Sequence, residues 1–96
     1  MLPRCLQSIG LKVFIDEYEF FESRPIRSEG INYLLKKKIS RNEAGAARRL
    51  GAAKKLFSNP DLLHEALDYI ANQSKEASKH QKEKASGILR RLSNRL

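Results

Sequence analysis

The residues in this sequence that are best placed to do chemistry are cations at helical spacing. Arg41, Arg48 and Lys55 recur every seven residues, so at 100° per residue they fall within about 40° of one another on a helix. Gly45 and Ala52 lie on the same line between them. Small side chains there would let the helix backbone approach a phosphate chain, and arginine forks suit bidentate contact with phosphate oxygens. This spacing predicts an anion-binding helix surface.

Further cations enlarge this predicted surface, and few carboxylates balance them. Between residues 24 and 57, ten basic side chains accompany only two acidic ones, Glu29 and Glu43. A surface that serves only solubility intersperses both signs of charge. We therefore predict that this segment binds an anion, and nucleic acid, either DNA or RNA, is the commonest such partner. The predicted nucleic-acid-binding residues are Lys36, Lys37, Lys38, Arg41, Arg48, Arg49 and Lys55.

The other reactive side chains form no catalytic or metal-binding pattern. His64 and His80 are sixteen residues apart, and no cysteine or carboxylate pattern beside them matches a metal site. Cys5 is the only cysteine and has no evident base beside it. The carboxylates between residues 16 and 22 lack the second cluster that a Mg²⁺ or general-acid role would need. We predict a protein that is not an enzyme and needs no cofactor or metal.

The same charges allow a second interpretation, a protein–protein interaction. Residues 58–73 carry three acidic side chains and no basic ones, and they separate two basic segments. The basic segments could bind an acidic protein partner, or the acidic segment of a second copy of the chain. Apolar faces in 60–72 and 85–96 exceed what one small core is expected to bury, so we also predict a homo-oligomer.

Composition predicts an intracellular protein that does not bind membranes. The net charge is +8, and residues 1–23 contain neither a bilayer-spanning apolar run nor the pattern of a secretory signal. A single cysteine allows no intramolecular disulfide, which is compatible with a reducing cytoplasm. The basic carboxy-terminal segment has no Trp or Phe to anchor it at a lipid interface.

Two helices that would position the cations have start signals in the sequence. Ser40 and Glu43 fit the S-x-x-E capping box, which predicts a helix over about 41–57. Residues 58–61 combine an N-cap asparagine, a proline suited to the first helical position and an aspartate suited to the positive helix end. They predict a helix over about 60–72.

Two more helical stretches follow from the spacing of apolar residues. One begins near Ser28, where isoleucine and leucine side chains recur at positions 31, 34, 35 and 39 along one stripe. The other covers about 76–95, where Ser78 and Gln81 fit a second capping box. The sequence leaves open whether this last helix is continuous with the helix over 60–72.

The first 27 residues are the hardest to assign. Leu11, Val13 and Ile15 alternate with Lys12 and Phe14, which favours a short strand. Residues 16–22 could equally form a helix with an acidic face. We therefore predict a mainly α fold, a single small domain over 1–96 with three to five helices, helical from 28 onward, and a short N-terminal strand as one option for the first segment.

Two short stretches resemble known families. The twelve residues LFSNPDLLHEAL, from Leu56 to Leu67, look like the opening helix of the ribonuclease III family. No acidic catalytic motif of that family is present, so no catalytic residue is carried over. The sequence RSEGI at 27–31, with Leu34 and Leu35, resembles the second helix of ribbon-helix-helix repressors, in which a strand and a first helix come before it. Here an acidic segment and a proline follow the candidate strand instead.

Overall fold

The computed structural model describes residues 4–94, and throughout this range the regular structure is helical, without a strand. The helices in chain order are α1 (Arg4–Ile9), α2 (Leu11–Asp16), α3 (Tyr18–Glu22), α4 (Arg27–Lys36), α5 (Glu43–Ser58), α6 (Pro60–Asp68), a π-helical turn (Tyr69–Gln73) and α7 (Lys79–Asn94). The predicted mainly α fold is confirmed. The helices are more numerous than expected because the amino-terminal segment contributes three short ones.

The short strand that was one option for 11–15 is absent, because this segment forms α2. Leu11, Phe14, Ile15 and Tyr18 follow the i, i+3, i+4, i+7 spacing of a helix face, and all four are buried. A strand would have placed Phe14 on the face opposite Leu11 and Ile15. The helix instead buries Phe14 completely and leaves Val13 half-buried. Burial of the larger aromatic side chain explains why the helix forms.

A glycine makes the turn between the first two helices. Gly10 has φ of 95°, in the left-handed region that glycine enters without a Cβ clash, and its N–H donates to the carbonyl oxygen of Leu6 over 2.9 Å. The turn redirects the chain so that α1 packs along α5. Leu6 and Ile9 are fully buried as a result.

The connection between α4 and α5 differs from the predicted capping box. Ser40 is buried, and its Oγ accepts a hydrogen bond from Nη1 of Arg49 over 2.8 Å instead of capping a helix. Asn42 is the N-cap of α5, and its Oδ1 accepts from the N–H of Gly45 over 2.8 Å. The helix consequently begins at Glu43, two residues later than predicted. Asparagine is at least as favourable an N-cap as serine, which explains why the helix starts after Asn42.

The second predicted helix and the last capping box are confirmed. Oδ1 of Asn59 caps α6 by accepting from the N–H of Leu62 over 3.2 Å, with proline in the first turn. The helix then passes into the π-helical turn. Residues 74–78 separate it from α7, so these are two helices and not one. Ser78 and Gln81 form the reciprocal capping box, with hydrogen bonds of 2.9 and 3.1 Å.

The core is centred on α5, which packs against α1, α3, α4 and α6. The carboxy-terminal helix α7 covers the π-helical turn, α6 and α2. One hydrophobic cluster contains buried residues from every helix, for example Leu6, Phe14, Leu34, Leu56 and Ile88. None of the helices between residues 4 and 94 is both long and apolar enough to span a bilayer.

Candidate nucleic-acid interface

The segment 24–57, called here the cationic hairpin, comprises α4, α5 and the residues that flank and connect them. Nine of its ten basic side chains are exposed: Arg24, Arg27, Lys36, Lys37, Lys38, Arg41, Arg48, Lys54 and Lys55. Among residues 4–94, the one ion pair joins Lys84 to Glu19, outside this segment. The exposed cations of the hairpin therefore have no carboxylate partner in the part of the chain that the structure describes.

The exposed face of α5 carries two of the predicted residues but not the predicted small residues. Arg48 and Lys55 are exposed, whereas Ala52 is buried in the core and Gly45 is half-buried. The small residue that does lie at the surface between the two cations is Gly51, where an added Cβ would meet no atom within 4 Å. The predicted line of small residues was wrong because it ran along the edge of the buried face.

Arg49 has a different environment from the other predicted cations. It is half-buried, and its Nε donates to the carbonyl oxygen of Ile9 over 3.0 Å while its Nη1 donates to Ser40. Its guanidinium thus joins the end of α1 and the hairpin connection to α5. Helical spacing could have indicated that Arg49 lies on the buried side of α5, since it is four residues from buried Ala53 and seven from buried Leu56.

The three consecutive lysines lie where α4 ends. Lys38 has φ of 60°, in the left-handed region, and terminates the helix, while the Nζ of Lys37 is 5.6 Å from the ring centroid of Tyr33. At that distance the ammonium gains a cation–π interaction. The other predicted cation of this connection, Arg41, is exposed beside the cap of α5.

Tyr33, the aromatic residue nearest the lysines, makes contacts within the protein. Its ring stacks on Phe20 with centroids 4.0 Å apart, and its hydroxyl donates to the carboxylate of Glu17 over 3.1 Å. Burial, helped by this hydrogen bond and by the charge of Glu17, raises the pKa of Tyr33 above its ordinary value. With Phe20 against one face and Lys37 over the ring, Tyr33 is poorly placed to stack on a base.

Three cations that the sequence did not single out surround a cavity of about 350 Å³. Arg24, Arg27 and Lys54 line it together with apolar side chains that include Leu50. Arg24 has a left-handed backbone, with φ of 52°, and its Nη2 donates to the carbonyl oxygen of Phe57 over 2.9 Å. Only the tertiary fold brings residue 24 to the end of α5, so no local pattern could have indicated this cluster.

The carboxy-terminal basic region is arranged differently from the cationic hairpin. Nζ of Lys84 lies 2.9 Å from Oε1 of Glu19, and Nε2 of Gln81 donates to Oδ1 of Asp16 over 3.0 Å. These contacts fasten α7 to the acidic side of α2 and α3. Within residues 4–94, no group of three histidine, cysteine, aspartate or glutamate side chains could hold a metal ion.

No protein-family model matches this chain, and no curated protein or solved structure is significantly similar to it. Its function therefore has to be inferred from its own residues. The feature that best indicates a ligand is the set of nine exposed hairpin cations without a carboxylate partner among the described residues.

Proposed function

We propose that the protein binds nucleic acid by contacting the phosphate backbone with the cationic hairpin. The observation that carries this proposal is the absence of carboxylate partners, among the described residues, for nine exposed cations between positions 24 and 57. Unpaired cations on one segment raise the local positive potential, which attracts a polyanion over a distance of about one Debye length, roughly 8–10 Å at physiological salt.

The geometry of α5 favours contacts with phosphates over contacts with bases. Arg48 and Lys55 are separated by seven residues, which is about 10 Å along a helix axis. Exposed Gly51 between them leaves room for a sugar-phosphate chain near the helix backbone. Tyr33 is occupied by Phe20 and Lys37, so base stacking adds little. Binding of this kind depends strongly on salt and only weakly on sequence.

The proposal is tested by salt titration of the intact protein with a short labelled duplex, followed by fluorescence anisotropy. Four exposed cations of the hairpin, Lys36, Arg41, Arg48 and Lys55, are replaced by glutamine. Each lost phosphate contact on B-form DNA removes about 0.9 from the slope of log affinity against log salt, so the slope should fall by up to about 3.6. Arg49 is left unchanged because it holds the fold together.

The control variant carries the same loss of charge elsewhere. Replacing exposed Lys75, Lys79, Arg90 and Arg91 by glutamine removes four cations from the carboxy-terminal region. This variant should keep most of the wild-type slope. Circular dichroism and a thermal melt establish that both variants are folded. Equal losses of slope would mean that net charge alone drives binding, and no measurable binding of wild type to DNA or RNA at about 0.15 M salt would overturn the proposal.

The acidic face of α6 favours a second candidate function, self-assembly through opposite charges. Asp61 and Glu65 are exposed and take part in no ion pair among the described residues. One chain therefore offers an acidic face and a cationic hairpin that could meet between copies. Sedimentation velocity at low and high salt tests this idea. Association that weakens with salt, and that is lost in D61N/E65Q, would support it, whereas a monomer at low salt would exclude it.

A further inference from the structure

The cavity of about 350 Å³ lies between the start of α4 and the middle of α5. Three cations line it: Arg24 from the turn before α4, Arg27 from the start of α4 and Lys54 from α5. No carboxylate from residues 4–94 lines it. Its other walls are mostly apolar and include Pro25 and Leu50. A small cavity with apolar walls and a few converging charged groups is the usual form of a small-molecule site.

The position of Arg24 is fixed by contacts with the rest of the fold. Its backbone is in the left-handed region, which costs a non-glycine residue free energy. The guanidinium also donates to the carbonyl oxygen of Phe57 in the last turn of α5. This contact neutralises the negative end of the α5 dipole and fixes the guanidinium at the cavity. A fixed guanidinium loses less entropy when it binds an oxyanion.

The apolar wall is also fixed, by close packing between the two helices. Gly30 in α4 faces Leu50 in α5, and an added Cβ would lie 2.8 Å from Cδ1 of Leu50 and 3.3 Å from Cγ of Pro25. A side chain at position 30 would have to displace the end of Leu50, so glycine allows the two helices to pack closely here. Both wall residues are therefore positioned by the hairpin packing and not by the ligand.

The start of α4 lies beside the cavity, which Pro25 and Arg27 line. Its N-cap residue is Ile26, which has no side-chain oxygen to satisfy the first N–H groups of the helix. Among residues 4–93, Ile26 is also the one large hydrophobic side chain that is exposed, at 67 %. Apolar and positively charged groups thus lie side by side here.

We propose that this cavity binds a small organic anion, a phosphate monoester or carboxylate attached to a planar apolar group. The oxyanion would lie among Arg24, Arg27 and Lys54, and the apolar group would lie against Pro25 and Leu50. The inference does not depend on nucleic-acid binding, since the four cations tested above for that function lie outside the cavity.

The test is a titration of the ¹⁵N-labelled full-length protein, followed by amide chemical shifts, with phenyl phosphate as the probe. Benzoate replaces the phosphate by a carboxylate, inorganic phosphate removes the ring, and benzyl alcohol removes the charge. We expect phenyl phosphate to give saturable shifts in residues 24–27 and 47–54, with an affinity about tenfold higher than that of inorganic phosphate or benzyl alcohol. Benzoate should give saturable shifts at the same amides, because the proposed site accepts either oxyanion.

Variants separate the cavity from general charge effects. R27Q/K54Q should weaken phenyl phosphate about tenfold, whereas K75Q/K79Q, which loses the same charge in the carboxy-terminal region, should bind it normally. R24G provides a second test, because glycine accepts the left-handed backbone and keeps the turn. It should also weaken the probe.

Several results would overturn the proposal. They are an absence of saturable shifts with every anion, equal affinity for phenyl phosphate and benzyl alcohol, or shifts that survive in folded R27Q/K54Q. The hairpin variant K36Q/R41Q/R48Q/K55Q should lose its salt-dependent DNA binding but still bind phenyl phosphate. This contrast distinguishes failure of the cavity site from failure of the nucleic-acid proposal.

Discussion

The cationic hairpin and the carboxy-terminal helix α7 are both basic, but they use their charges differently. In the hairpin, nine cations are exposed and none is paired with a carboxylate among the described residues. In α7, Lys84 binds Glu19 and Gln81 binds Asp16, so part of its polar face contacts α2 and α3. The two regions carry net charges of +8 and +5 in the sequence, over 24–57 and 74–96. Net charge alone therefore does not show how the cations are used, because within residues 4–94 one of those in α7 is engaged in an ion pair and none of the nine in the hairpin is.

The comparison also has an exception inside the hairpin, at Arg49. This arginine is adjacent to Arg48 on the same helix, yet it behaves like Lys84 of α7 because it binds acceptors within the protein. The distinction between a free and an engaged cation thus operates at the level of single residues.

The largest expected change in the free energy of unfolding comes from Arg49, and its neighbour Arg48 serves as the control. R49M removes two charge-assisted hydrogen bonds and leaves buried Ser40 without its donor, so it should lower the free energy of unfolding by about 2 kcal/mol. R48M, at an exposed position, should change it by less than about 0.5 kcal/mol. Urea denaturation followed by circular dichroism measures both values.

For DNA binding, the substitution of Arg48 should have the larger effect and that of Arg49 the smaller one. R48M should reduce the salt slope for duplex DNA by about 0.9, while folded R49M should retain it. A destabilisation by R49M as small as that expected for R48M would show that Arg49 is not part of the scaffold.

An intermediate effect is expected from the same glycine substitution in each region. Gly51 in α5 and Gly87 in α7 both have open space around an added Cβ. G51A and G87A should each raise the free energy of unfolding by up to about 1 kcal/mol, because alanine favours the helix. Only G51A should also weaken DNA binding, by roughly threefold, if a phosphate chain approaches the backbone there.

Thermal melts and anisotropy measure these two properties. Equal DNA affinity for G51A, G87A and wild type would remove Gly51 from the interface and leave the cations alone as its determinants.

The smallest effect is expected at the ion pair that fastens α7. The side chains of Lys84 and Glu19 are 27 % and 65 % exposed, so solvent screens their attraction. A double-mutant cycle with K84Q and E19Q should give a coupling energy of about 0.2–1 kcal/mol that decreases with added salt. Urea denaturation at two salt concentrations provides the four free energies.

A coupling energy near zero at low salt would show that packing of the apolar side of α7 is sufficient to hold the helix. The cations of α7 would then differ from those of the hairpin only in how exposed they are.

The sequence predicted the helices best where the signal was local. Asn59 with Pro60, and Ser78 with Gln81, define helix starts through contacts three residues apart, and both are present in the structure. The strand over 11–15 was wrong because five alternating residues fit both periods. Burial of Phe14 against distant aromatic residues decided between them.

The site was predicted in part for a similar reason. The sequence by itself determined the excess of cations in 24–57 and the seven-residue spacing of Arg48 and Lys55, since both depend only on composition and helical periodicity.

Only the tertiary structure decided which cations are engaged. Arg49 turns to the carbonyl oxygen of Ile9, forty residues away, and Arg24 to that of Phe57, thirty-three residues away. Such contacts form when distant helices pack, because packing brings unpaired carbonyl groups within reach of a long side chain. The same packing builds the cavity beside Gly30. A basic residue's role in this protein is therefore set by its acceptors, and those are a property of the fold.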